Sequence, residues 1–228
     1  MLNAKRVFVI TPAEVNTRRL PLPADTSYLE HVFEHYDLTN IHELDSSIMV
    51  RLRYADTANF LHANFYDGLR KAYMTCDLAI RLCNAQYFLK RYDPSLSLKI
   101  LDASRPLHIQ QVMWDSLNLL PEEKKKYLSP PENISLHNYG CAVDVTIAGP
   151  DGNALDMGTG FDVFDSLSQP KFEELFRRQG RLSDIVLYNR RLLRHVMTAA
   201  GLRSISTEWW HFSLCTKPVA AARFPVIH

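Results

Sequence analysis

The spacing of apolar and polar positions resolves the chain into a few well-marked elements separated by proline-rich stretches. From Asp77 to Tyr92, the residues Leu78, Ala79, Leu82, Cys83, Ala85, Tyr87 and Leu89 recur at helical spacing, and Pro94 stands just beyond as a stop. Ser97 to Leu101 has the enrichment and alternation of a short strand and leads into Asp102-Ala103-Ser104-Arg105-Pro106. Pro106 suits the first turn of a helix, predicted to run to about Leu117 with Ile109, Val112, Met113 and Leu117 on one face. Cys141 to Ile147 alternates in β fashion and meets the turn signal Pro150-Asp151-Gly152-Asn153. Ser183 to Ala200 is helical by pattern, with Ser183 placed to cap its start and Gly201 its end. Ile205 to Leu214, rich in Trp, Phe and Thr, predicts a closing strand.

Between these elements, residues 11–27 carry Pro12, Pro21 and Pro23 and predict an extended lead-in. Residues 120–135 hold Pro121, Pro130 and Pro131 around a Glu-Glu-Lys-Lys-Lys run and predict a solvated surface segment. Neither an internal repeat nor a low-complexity tract is present. Helices and strands without βαβ alternation predict an α+β fold, a mostly antiparallel sheet flanked by helices. The expected organisation is an extension over 1–50, packed on or leading into a domain over 51–228.

Charge narrows the partners. Across 228 residues, 26 Lys+Arg against 25 Asp+Glu give a formal charge of +1, no footprint for gripping nucleic acid or anionic lipid. No apolar run approaches the ~20 residues of a membrane helix, and Val7 to Ile10 is too short for a signal-peptide core. The expected location is the cytoplasm, or the periplasm if a leader was removed. Cys76, Cys83, Cys141 and Cys215 form no C-x-x-C pair and read as reduced, buried thiols. Oligomeric state leaves no mark in the sequence.

Nine histidines invite a search for metal ligands. His31-Val-Phe-Glu34-His35 fits an H-x-x-E-H pattern, but with no third ligand in view it reads as a surface helix carrying exposed His and Glu. A second set is spread over Ser135-Leu-His137-Asn-Tyr-Gly140-Cys-Ala-Val-Asp144 and Glu208-Trp209-Trp210-His211, with Asp102 and Arg105 upstream. A catalytic zinc wants three N or O ligands and one open position, and His137, Asp144 and His211 would supply two imidazoles and a carboxylate. Gly140 would let the chain turn between the first two. Glu208, three residues before His211, cannot share a regular strand face with it, so it belongs at a lead-in or bulge, from which it could reach a metal-bound water. Singly, each residue has an ordinary structural reading: Asp144 in a turn, His211 in the core, Arg105 paired with Asp102 at the surface. Together they provide ligands, base and cation for one reaction.

The strings S-x-H-x-x-G-x-A-x-D (Ser135 to Asp144), E-W-W-H-F (Glu208 to Phe212) and D-A-x-R-P (Asp102 to Pro106) resemble those of the VanX-type D-alanyl-D-alanine dipeptidases. Tyr54 to Phe60, Asp156 to Asp162 and Asn189 to Leu193 are similar to the family's Y-A-x-x-x-N-F, D-M-G-x-x-F-D and N-R-x-L-L segments, so the likeness runs from about Tyr54 to Leu214. Ser104 departs from the aromatic residue that family members often carry before the arginine. The resemblance implies the hedgehog/D-Ala-D-Ala-metallopeptidase fold and one Zn2+ per chain on His137, Asp144 and His211. It further implies Glu208 as acid/base and Arg105 as stabiliser of the transition state, with Tyr54, Asp102, Ser135, Asp162 and Trp209 around the substrate, Asp162 taking its ammonium. The expected activity is hydrolysis of D-Ala-D-Ala to two D-alanines. The alternatives are a peptidoglycan D,D-carboxypeptidase or endopeptidase of the same fold and a non-catalytic, zinc-stabilised binding domain.

Overall fold

The computed structural model describes residues 27–228, so the extended lead-in expected over 11–27 lies, but for its last residue, outside the described part. Helix α1 (Tyr28–His35) starts on Ser27, whose side chain accepts the Glu30 N–H, and turns Leu29 and Phe33 inward. His31 and His35 of the H-x-x-E-H pattern face solvent from this helix. Strand β1 (Thr39–Asn40) pairs antiparallel with β3 (Tyr73–Met74), while β2 (Met49–Val50) runs parallel to β4 (Ser97–Asp102) at the edge of the main sheet. Leu29, Phe33, Leu38, Ile41 and Ile48 join the same hydrophobic core as the later elements.

Helix α2 (Cys76–Tyr92) carries Asp77 in its first turn and Lys90 and Arg91 in its last, matching the helix dipole, and buries Leu78, Leu82, Ala85 and Leu89. Helix α3 (Leu107–Ser116) follows Pro106 directly. Its inward face differs from the one expected: Gln110 is buried with Met113, while Val112 is 49% exposed. Gln110 tolerates burial because its Nε2 donates to the Ser129 carbonyl at 2.9 Å, tying α3 to the segment after it. That segment folds as α4 (Pro121–Lys124), and although its charges face water, Leu128 is buried behind them.

Strand β5 (Ala142–Ala148) is buried at all seven positions, because it lies in the middle of the five-stranded sheet, between β4 and the strand formed by His211–Ser213. Its apolar and small residues therefore serve two covered faces, where alternation alone predicted one. All pairings beyond β2–β4 are antiparallel. Of the closing strand expected over 205–214 only β7 (His211–Ser213) is strand; a loop separates it from β6 (Arg203–Ser204), which lies just before the expected span. Trp209 and Trp210 are both buried, which breaks strict alternation, and the Trp210 carbonyl accepts from the Val145 N–H at 3.0 Å. Helix α5 (Glu173–Arg178) precedes α6 (Asp184–Ala199), which Ser183 caps and Gly201 ends at φ +84. Helices α2 and α6 pack on each other and on β4 and β5, and α7 (Lys217–Arg223) closes against the turn before β5. Among the described residues no helix is long and apolar enough to cross a membrane.

Candidate active site

Register puts the chemistry in one row: Asp102 of β4 stands opposite Asp144 of β5, which stands opposite His211 of β7. A register shift in β4 between Ile100 and Asp102 sets that end of the strand. His137 arrives from a short 3-10 turn, Leu136–Tyr139, whose first N–H groups are held by Ser135. Gly140 then turns the chain into β5 at φ +64, a left-handed conformation that suits glycine. The same turn grips the next functional residue: the Arg105 N–H donates to the His137 carbonyl at 3.0 Å, and Asn138 Nδ2 donates to the Arg105 carbonyl at 2.8 Å.

One ligand atom each from His137, Asp144 and His211 lies within 4.8 Å of the other two, so these residues could hold a metal ion. His137 Nδ1 faces the Ala103 carbonyl at 2.7 Å, which fixes that nitrogen as the donor and leaves Nε2 as a lone pair. His137 Nε2 to His211 Nδ1 is 3.2 Å, His211 Nδ1 to Asp144 Oδ1 is 3.0 Å, and His137 Nε2 to Asp144 Oδ1 is 3.5 Å. A tetrahedral ion with bonds of about 2.0–2.1 Å has ligand-to-ligand edges of about 3.3 Å, so the three atoms already form one face of such a shell. Burial would push Asp144 up, but the His137 and His211 imidazoles outweigh it and hold the carboxyl well below its ordinary range.

A cavity of about 300 Å³ opens over this face, lined by Tyr54, Arg105, Ser135, Asp162 and Glu208 beside the three possible ligands. Glu208 sits in the loop before β7, just ahead of two well-anchored residues, Trp209 Nε1 donating to Thr159 Oγ1 at 2.9 Å and Trp210 packing on Phe161. Burial, opposed by His211 and reinforced by Asp144, raises the Glu208 pKa. Arg105 lies with its guanidinium 5.0 Å from the Tyr54 ring centre, and its Nη2 donates to Asp102 Oδ2 at 2.5 Å. This ion pair is buried, where sequence alone offered a surface pair. Tyr66 Oη donates to the other Asp102 oxygen at 2.5 Å, so Asp102 is bound on both oxygens. Tyr54 Oη in turn donates to Asp162 Oδ2 at 2.5 Å. Burial pushes the Asp162 carboxyl well above its usual range against the pull of that hydrogen bond.

The loop bearing Asp162 is held from α6: Asn189 Nδ2 donates to the Asp156 carbonyl at 2.9 Å and Arg190 Nε to the Met157 carbonyl at 2.7 Å. The structure thus brings eight of the expected residues to one cavity and leaves two outside its wall. Asp102 is fully buried beneath Arg105, and Trp209 turns toward Thr159, so neither lines the cavity. Trp210 takes the wall position next to Trp209, joined by Tyr127, Phe164 and Lys217, none of which the sequence singled out. The paired tryptophans were a visible signal for the first; nothing local marks the others.

An α+β domain presenting a sheet-borne His/Asp/His face to a cavity that also holds Glu and Arg defines a metallopeptidase-like class. The profile of the Peptidase M15 family, described as D-ala-D-ala dipeptidase, matches residues 34–227, and the chain belongs to that family. Over 132 residues it is 35% identical to the D-alanyl-D-alanine dipeptidase of Escherichia coli (strain K12), covering 58% of this chain and 60% of that protein. Over 176 residues it is 28% identical to the protein of the same name from Synechocystis sp., covering 65% of this chain and 71% of the relative. The match to the D-alanyl-D-alanine dipeptidase of Enterococcus faecalis is 32% over 85 residues, or 37% of this chain and 39% of that protein.

Proposed function

We propose that this protein hydrolyses the free dipeptide D-Ala-D-Ala, with one zinc ion held by His137, Asp144 and His211. The observation that carries the reading is the single cavity in which three convergent N and O donors meet a half-buried Glu208 and a buried Arg105. A zinc ion in that place supplies Lewis acidity toward water and toward the peptide carbonyl. Glu208 takes the proton of the attacking water and delivers it to the leaving amine nitrogen; its burial-raised pKa makes it a better acceptor for the first of these transfers. Arg105 stays cationic because Asp102 outweighs the effect of its burial, and it lies where the carbonyl oxygen gathers negative charge. Asp162, a carboxyl strained toward neutrality by burial, gains from receiving the substrate ammonium and so selects an unblocked N-terminus.

Asp102 and Tyr66 act at one remove, holding the guanidinium in place through two short hydrogen bonds. A binding domain that used zinc only for its fold would need neither Glu208 nor Arg105 in the cavity beside the ligands. The test is D-alanine release from D-Ala-D-Ala by the protein as purified, after chelation, and after zinc is restored. Loss on chelation with recovery on zinc is the expected result. No release despite one bound zinc per chain would overturn the dipeptidase reading, and cleavage of longer cell-wall peptides would then favour the carboxypeptidase alternative.

A further inference from the structure

The reaction above assigns a partner to the substrate's ammonium but none to its terminal carboxylate. Resting on that reading, we propose that Lys217 binds the carboxylate of the leaving residue and makes the enzyme prefer free dipeptides to their C-terminal amides. Lys217 stands at the first position of α7 and lines the same cavity as His137, Asp144, Glu208 and His211. Its Nζ donates to a neutral acceptor, Asn133 Oδ1, at 2.9 Å. Among the described residues no carboxylate lies within 4.0 Å of that ammonium. Partial burial, with nothing anionic to offset it, lowers the pKa of this lysine.

The other cation at the cavity is already committed, since Arg105 is paired with Asp102 and lies against Tyr54, whose hydroxyl reaches Asp162. That is the ammonium end of the cavity. Glu208 marks the leaving-group side, because the group that protonates the leaving nitrogen must stand beside the residue that departs with it, and that residue carries the carboxylate. Glu208 also lines an adjoining hollow together with Asn133, the residue that holds Lys217. The free cation therefore lies on the leaving-group side, and a carboxylate there would replace or share the neutral Asn133 acceptor with a charge-assisted hydrogen bond.

The test compares D-Ala-D-Ala with its C-terminal amide for the wild-type protein, Lys217→Ala and Lys217→Arg. For Lys217→Ala, kcat/KM on the free acid should fall roughly tenfold further than on the amide, mostly through KM, since the contact is remote from the reacting atoms. Lys217→Arg should restore most of the preference. A lysine that merely braced Asn133 would lower both substrates alike, so equal losses, or no loss on either, with an active wild type would overturn the assignment. A wild-type protein inert toward both forms would overturn the dipeptidase reading and this assignment with it.

Discussion

The floor and the roof of the cavity are made from different kinds of chain. On the floor, Asp102, Asp144 and His211 stand side by side on three strands, and His137 and Arg105 are joined to each other through main-chain and Asn138 hydrogen bonds. On the roof, Tyr127, Phe164 and Lys217 come from a surface segment, a loop and a helix start, and Tyr127 is 37% exposed. The groups proposed to hold an ion or meet developing charge sit on paired strands or, like His137 and Arg105, on turns tied to each other by main-chain hydrogen bonds. Groups that choose what enters sit where side chains alone hold the shape. Substitutions on the floor should therefore act on kcat and on the fold, and those on the roof on KM.

The largest expected effect is at Glu208, which the anchored tryptophans hold against the floor. Glu208→Gln removes the proton acceptor without changing shape, and kcat should fall about 10²–10⁴-fold while bound zinc stays at one per chain. Rate assays with metal analysis on the same preparation check this. A loss below about tenfold with metal retained would show that proton transfer here does not depend on the floor carboxylate.

A second effect is structural. A Cβ on Gly140 would come 3.0 Å from Leu38 Cδ2, 3.0 Å from Ser104 Oγ and 3.3 Å from the Thr75 nitrogen, at a φ of +64. Gly140→Ala should lower stability by about 1–3 kcal/mol in urea unfolding, through left-handed strain and crowding together. Gly152 has the same sign of φ, +76, but nothing within 4 Å of its added Cβ, so Gly152→Ala should cost less. Equal losses at the two sites would mean that the packing beneath His137 contributes nothing beyond backbone strain.

The same division governs what could be read in advance. Helices α2 and α6 are legible because burial of one face imposes a period on many residues at once, strands β4 and β5 as short apolar runs closed by turn residues, and the floor because His137, Asp144, Glu208 and His211 have few other chemical uses in combination. The inward face of α3 differs from the expected one at Val112 and Gln110, since the group that anchors the Gln110 Nε2 is the Ser129 carbonyl, 19 residues on. The resemblance groups Asp102 with the substrate residues, and nothing near it in sequence reveals Tyr66, the residue that holds its second oxygen. Residues 120–135 read as plain surface because their charges do face water, while the side chain that matters to the cavity, Tyr127, is one aromatic ring whose neighbours lie far away in the chain. Loops are specified by contacts, and contacts between distant residues leave no period.

Tyr127 is therefore the sharpest probe of the roof, and the one with the smallest expected effect. Its ring stacks on Phe60 with centres 6.2 Å apart and meets Phe164 edge-on at 5.3 Å, and Phe164 in turn meets Trp210 at 6.5 Å. Aromatic pairs of this kind contribute about 0.5–1.5 kcal/mol each, and the partial exposure of Tyr127 places it at the low end. Tyr127→Ala opens the cavity without touching any group that carries charge or protons in the reaction. KM for D-Ala-D-Ala should rise about two- to fivefold, with kcat changed by less than about twofold, because the lost contact is shared by the bound and the reacting substrate. Steady-state kinetics separate the two constants. If kcat instead fell toward the level of Glu208→Gln, the aromatic roof would be part of what aligns the reacting atoms, and the separation of floor from roof would fail at this residue.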